Sequence, residues 1–252
     1  MPITLLIVPI AEGLRSLLFA MLAVGLLGCG GGSGASAPVD PSGPQTVAPG
    51  TWVVLGSSTA AGVGASPGQG WVALLAAQVA AVGVLIENRG VSGATTYQAL
   101  PATQTRPSIR PATTQNLDID AALLTSPRLV IFAFPNNDAL SGYTAAETVA
   151  NLGLLRERAR SRGATVILLS SQPRNDASAA QRAVMSEVDQ AMRLLAGACF
   201  VDVAAALTAP SGGIASPFAT SDGVHLSDAG HRLIVDAVSA RLYGGQCVKL
   251  SG

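Results

Sequence analysis

Residues 129–134, Leu-Val-Ile-Phe-Ala-Phe, and residues 165–169, Thr-Val-Ile-Leu-Leu, are almost unbroken apolar runs. A strand of a half-exposed sheet alternates apolar and polar residues, because successive side chains point to opposite faces. A continuous apolar run of this length belongs to a strand buried on both faces, which occurs where helices cover a parallel sheet on each side. Three further short apolar segments, Trp52 to Leu55, Val84 to Glu87 and Phe200 to Val203, bring the expected strands to five.

Helix-patterned segments lie between them. Val72, Leu74, Leu75 and Val79 follow Trp71 at helical spacing, so Trp71 is read as the start of a core helix. Thr144-Ala145-Ala146-Glu147 matches a capping box, in which the Thr and Glu side chains satisfy free amides at a helix start, and the helix is expected to run through about Arg160. A last helix is expected from near Ser227 to Leu242, with Ile234, Val238 and Leu242 on one face. Strands alternating with helices give an α/β class with a parallel five-stranded sheet. The stretch from Ala94 to Gln115, with its prolines and threonines, reads as a loop.

The chain has 252 residues, with fifteen basic and fifteen acidic side chains. That length fits one domain plus short flanking segments. The even charge offers no basic stripe of the kind that displaces counterions from phosphate, so nucleic acid is excluded as a partner. Hydrophobic residues make up 49% and charged ones 12%, but much of the excess is alanine or lies before residue 30. There, Arg15 precedes an apolar run from Ser16 to Gly28, shorter than the ~20 residues that span a bilayer and suited to an export signal. Its end, Leu26-Leu27-Gly28-Cys29, resembles a bacterial lipobox, which implies acylation of Cys29 and a lipid anchor on a bacterial membrane facing the periplasm or cell surface. The alternatives are a short signal anchor and a soluble periplasmic protein whose cysteine is incidental.

Residues 30–50 are rich in Gly, Ser and Pro and read as a flexible linker. The expected organisation is therefore a leader over 1–29, a linker over 30–50, a domain over 51–245 and a tail over 246–252. With Cys29 set aside, Cys199 and Cys247 form an even pair in an oxidising compartment. A disulfide is allowed there and is preferred to two reduced, buried thiols. Two histidines and two distant cysteines lack the clustered spacing that zinc requires, so no metal or other cofactor is expected.

In a parallel α/β sheet, ligands bind outside the carboxyl ends of the strands. Four segments there carry polar or glycine residues: Gly56-Ser57-Ser58-Thr59, Asn88-Arg89-Gly90-Val91-Ser92-Gly93, Pro135-Asn136-Asn137-Asp138 and, before the last helix, Ser221-Asp222-Gly223-Val224-His225. Each alone has a plain reading. Ser57 and Ser58 suit a polar turn, Gly90 and Gly93 a turn with positive φ, Asn137 and Asp138 a helix cap, Asp222 a turn, and His225 a loop histidine.

In this order and at these strand ends, the four segments resemble the four sequence blocks of the SGNH (GDSL-like) hydrolases, over nearly all of the chain from Thr51 to Leu242. The resemblance implies a three-layer α/β/α sandwich of flavodoxin-like order. It implies Ser58 as nucleophile, His225 as base and Asp222 as the acid that orients it. It further implies an oxyanion hole from the amides of Ser58 and Gly93 and the side chain of Asn137. Two positions depart from the pattern: Ser57 stands where the family usually has Asp, and Pro135 where it usually has Gly. Ser57 raises the question of which serine attacks, and the frame favours Ser58.

His231, inside the last helix, is expected to pack or cap. Arg89 is read as a solvated surface side chain, with contact to an anionic substrate as the alternative. The Gly-x-Ser-x-Gly signature of the α/β-hydrolases is absent, since Gly90-Val91-Ser92-Gly93-Ala94 lacks the final glycine. The expected function is hydrolysis of a carboxylic ester on a small molecule or glycan, with short acyl or acetyl groups favoured because the 94–115 segment is polar. The alternatives are thioesterase or lysophospholipase activity, and a non-catalytic lipoprotein that binds glycan or lipid in the same cleft.

Overall fold

The computed structural model of the protein describes residues 44–134 and 136–250. The leader, Cys29, the linker as far as residue 43, and Pro135 lie outside the described residues. The strands are β1 (Gln45–Val47), β2 (Gly50–Gly56), β3 (Val84–Asn88), β4 (Leu129–Ala133), β5 (Thr165–Leu169), β6 (Phe200–Val201) and β7 (Val248–Leu250). The α-helices are α1 (Ser58–Ala61), α2 (Trp71–Val79), α3 (Thr96–Ala99), α4 (Ile119–Leu123), α5 (Asn136–Leu140), α6 (Ala145–Arg160), α7 (Ala179–Ala196), α8 (Ala204–Leu207) and α9 (Asp228–Tyr243).

Five strands form one parallel sheet in the order β3-β2-β4-β5-β6. Its side chains divide by alternation. Trp52, Val54, Leu129, Ile131, Ile167 and Leu169 face α2 and α9, where Leu75 and Val79 meet Ile234 and Val238. Val53, Leu55, Val130, Phe132, Val166 and Leu168 face α4, α6 and α7, against Ile119, Leu152, Leu155, Val188 and Met192. Both faces are thus buried under helices, which is why β4 and β5 are apolar at every position but Thr165 and why the result is a three-layer sandwich.

The expected helix starts coincide with the observed ones. Thr144 caps α6 in a full capping box with Glu147, and Ser227 caps α9 by accepting from Gly230. β6 is shorter than expected: it pairs only at Leu168↔Phe200 and Leu169↔Val201, and Val203 has already turned to cap α8. The 94–115 segment is largely irregular but holds the single-turn α3. It is pinned by Arg110, which forks onto Glu147 at 2.7 and 2.8 Å and lies over the Tyr143 ring at 4.0 Å.

The ends of the domain differ from expectation. β1 lies inside the stretch read as linker and β7 inside the stretch read as tail, and the two pair in parallel, with Gln45 N–H donating to Cys247 O at 2.8 Å. Neither three-residue strand is apolar enough to announce itself. They are held by each other, by α9 and by a disulfide between Cys199 and Cys247, whose Cα atoms are 4.8 Å apart.

The chain leaves β2 towards β3 on one side and later returns to β4 on the other. The order therefore reverses about β2, and the carboxyl ends of β2 and β4 are the place where such folds hold their ligands.

Candidate active site

At the carboxyl end of β2 the backbone turns at once into α1. Ser57 is the N-cap of α1, only 7% exposed, with its N–H bound to Ala133 O at 3.2 Å. Ser58 is the first helical residue and half-buried, so its amide belongs to the helix's first turn, where no intrahelical acceptor exists. The loop after β3 packs hard against this turn. A Cβ on Gly90 would lie 2.5 Å from Ala61 N and 2.8 Å from Ala60 C, and Asn88 ties the two by donating to Ala60 O at 2.8 Å and accepting from Gly90 N–H.

The second half of the site is the turn before α9. Asp222 Oδ1 accepts from Thr220 Oγ1 (2.7 Å), Val224 N–H (2.8 Å) and His225 N–H (2.9 Å), while Oδ2 faces His225 Nδ1 at 2.7 Å. The Thr220 hydroxyl first, and then the His225 amide and ring, hold the Asp222 carboxyl well below the usual range, so it is ionised and can only accept. In neutral His225 the proton therefore sits on Nδ1 and the lone pair on Nε2, the tautomer a general base needs.

No hydrogen bond joins Ser58 to His225 in this structure. Backbone packing brings their segments together: a Cβ on Gly64 would lie 2.9 Å from His225 Cβ and 2.4 Å from Leu226 O, and Val63 N–H is bonded to Ser58 O. Nucleophile–base hydrogen bonds often close only when substrate is bound.

Gly93 has a φ of +77° in a turn closed by Ala94 N–H to Val91 O at 3.1 Å. Asn137, in α5, reaches that turn directly, its Nδ2 donating to Ala94 O at 2.9 Å. The two expected oxyanion donors from β3 and β4 are thus joined. Asp138 was read as a helix cap and is instead fully buried. It accepts from the N–H and the hydroxyl of Thr96, and burial raises its carboxyl to about 6. It fastens α5 to α3 from beneath.

Arg89 is not a solvated side chain: it is 13% exposed, paired with Glu87 at 2.7 Å and donating to Asn116 O. Trp71 is a core residue, fully buried. His231 both packs and caps. Fully buried, its Nδ1 accepts from Trp71 N–H at the start of α2, and its Nε2 donates to Val63 O, each at 3.2 Å. Burial lowers its pKa, which suits a neutral ring using both nitrogens structurally.

A group not anticipated from sequence is Gln172, in the segment after β5. Its side chain accepts from Thr59 Oγ1 at 2.5 Å and donates to Val224 O at 2.8 Å, and its backbone exchanges hydrogen bonds with the Asn136 side chain. It thereby links the α1 turn, the Asp222–His225 turn and α5. No periodicity or motif marks such a residue. The only available signal was its position, just past a buried strand on the carboxyl side.

Comparison with known proteins bears on the family and the fold. Residues 54–233 match the model of the GDSL-like Lipase/Acylhydrolase family. Esterase TesA of Pseudomonas aeruginosa is 33% identical over 132 residues, covering 51% of this chain and 57% of that protein, so the match spans little more than half of the relative's length. Among solved structures, TesA superimposes with a TM-score of 0.59 at 24% identity, covering 77% of this chain and 98% of that one. A variant of Axe2, an acetyl-xylooligosaccharide esterase from Geobacillus Stearmophilus, gives 0.60 at 19% identity over 81% and 99%. These structural likenesses show the shared fold, whereas the family match covers most of the described domain. With four segments converging on one sheet edge and that match spanning them all, the chain belongs to the GDSL-like lipase/acylhydrolase family, the SGNH hydrolases.

Proposed function

We propose that this domain is a serine esterase in which Ser58 attacks the ester carbonyl. The observation that carries the reading is the Asp222–His225 pair, whose hydrogen bonding puts the proton of neutral His225 on Nδ1 and the lone pair on Nε2. In the proposed reaction, Nε2 takes the Ser58 hydroxyl proton as Oγ bonds to the carbonyl carbon. Asp222 stabilises the imidazolium that forms. The oxyanion is met by the amides of Ser58 and Gly93 and by the Asn137 side chain, each donor being worth ~100-fold or more in turnover. His225 then returns the proton to the leaving alcohol, and a water, deprotonated in the same way, releases the acid from the acyl-serine.

The names of the relatives, an esterase and an acetyl-xylooligosaccharide esterase, support ester substrates. We favour short acyl or acetyl groups on a small molecule or glycan, since the segment between Gly93 and Asn116 is polar and pinned. The leader and Cys29 support an exported, lipid-anchored protein. Loss of palmitate incorporation in Cys29→Ala tests the anchor.

The deciding experiment compares p-nitrophenyl acetate hydrolysis and fluorophosphonate labelling in the wild type, Ser58→Ala and Ser57→Ala. Activity and labelling lost only with Ser58→Ala are expected, along with a preference for acetate over long acyl chains. Loss only with Ser57→Ala would move the nucleophile. Neither activity nor labelling in the wild type would leave a binding protein as the reading, and preference for a thioester would make it a thioesterase.

A further inference from the structure

The segment after β5 holds, besides Gln172, an arginine whose environment is unusually complete. Arg174 is 15% exposed, and its Nε and Nη2 fork onto the two oxygens of Asp176 at 2.9 and 2.7 Å. That fork fixes the plane of the guanidinium. The remaining terminal nitrogen, Nη1, donates to Asn137 Oδ1 at 3.1 Å. The backbone on either side is pinned as well: Gln172 is bound to Asn136 and Val224, and Asn175 N–H donates to Gly223 O at 2.9 Å.

We infer that Arg174 is a positioning residue for the oxyanion donor Asn137, an inference that rests on the proposed role of Asn137. A side-chain amide has two ends of similar shape, and only its partners decide which way it faces. Here the oxygen meets a guanidinium and the nitrogen meets Ala94 O. The flipped amide would set donor against donor and carbonyl against carbonyl. A single orientation is therefore enforced, in which one N–H is spent on Ala94 and the second is the one offered to substrate. Arg174 also acts electronically. A cationic donor on the amide oxygen draws density from nitrogen and strengthens the remaining N–H as a donor, as in any chain of polarised hydrogen bonds. Asp176 matches the arginine's charge, so what reaches Asn137 is mainly direction and polarisation rather than a bare cation aimed at substrate.

The test is a double-substitution cycle in the full chain, reading kcat and KM for p-nitrophenyl acetate in the wild type, Arg174→Met, Asn137→Ala and the double variant. Circular dichroism and melting check each fold. Removing an oxyanion donor costs ~100-fold or more in kcat. Loosening its orientation should cost a part of that, roughly tenfold in kcat, with KM changed by less than about threefold. In the Asn137→Ala background, Arg174→Met should have no further effect on kcat. An equal loss in both backgrounds, an unchanged kcat in Arg174→Met, or a raised KM at constant kcat would each overturn the inference. If Asn137→Ala alone leaves kcat unchanged while Ser58→Ala abolishes it, the oxyanion role of Asn137 falls and takes this inference with it. Should Arg174→Met not fold, Arg174→Lys enters the same cycle. It keeps the charge without the planar fork and is expected to lower kcat less than Met but still only when Asn137 is present, with a loss independent of Asn137 refuting the role.

Discussion

Replacing Asp222 by Asn tests the proposed base most sharply, because the structure dictates which way the new amide must face. Asp222 Oδ1 accepts three hydrogen bonds, from Thr220 Oγ1, Val224 N–H and His225 N–H, whereas Oδ2 has only the His225 ring. An amide nitrogen cannot accept, so the Asn oxygen takes the place with three donors and its NH2 turns towards His225 Nδ1. That makes Nδ1 an acceptor and puts the imidazole proton on Nε2, where it blocks the Ser58 proton. Flipping the amide back would forfeit three hydrogen bonds at about 1 kcal/mol each, or about 3 kcal/mol, so roughly one molecule in two hundred keeps the productive tautomer. The lost carboxylate also ceases to stabilise the imidazolium. Asp222 is half-exposed, so that loss is screened by water and adds roughly another tenfold. Together kcat should fall about a thousandfold with KM little changed, somewhat less than the ~10⁴ known for a buried protease aspartate. The assay is p-nitrophenyl acetate turnover at several pH values, with Ser58→Ala as the floor and circular dichroism as the folding control. A folded Asp222→Asn protein with kcat within tenfold of wild type would refute the argument, since His225 would then owe its tautomer to something else or would not be the base.

Asp138 gives a pH signature in stability. Its folded carboxyl lies at about 6 against an ordinary 3.8, so the folded state is favoured by its protonation: that stability is complete below pH 3.8 and is lost as the pH rises through 6. Between pH 4 and 7 the wild type should therefore lose on the order of 3 kcal/mol relative to Asp138→Asn in urea titrations, and parallel pH profiles for the two proteins would contradict the assignment. The Cys199–Cys247 bond spans 48 residues, for which chain entropy gives about 4 kcal/mol. Cys199→Ser should lower the urea midpoint accordingly and become insensitive to reductant, and a wild type whose midpoint ignores reductant would exclude a stabilising bond.

How much of this was legible in the sequence depends on whether the information was local. The runs at 129–134 and 165–169 read correctly because a strand buried on both faces leaves no freedom in composition. α6 and α9 read correctly to within a residue because Thr144, Glu147 and Ser227 are chosen by the local needs of helix ends. α7 carried the same kind of signal in Ser178 and Gln181, which form a capping box. By contrast, β1 and β7 exist only because each finds the other across the whole domain, and a three-residue strand has no pattern of its own. The candidate site divides the same way. Asp222 and His225 share one turn and were readable as a pair. Gln172, Arg174 and the buried role of Asp138 depend on what faces them across tens of residues, and a polar side chain in sequence looks the same whether water or a carbonyl receives it.

The pairing of β1 with β7 has a geometric consequence. Gln45 lies beside Val248 and Val47 beside Leu250, and β2 then runs from Gly50 to Gly56, ~20 Å at strand pitch, before arriving at Ser57 and Ser58. The start of β2, three residues past the β1–β7 pair, and the candidate nucleophile therefore sit at opposite ends of the five-stranded sheet, so a disturbance of the terminal pair has the length of β2 to cross before it reaches Ser58.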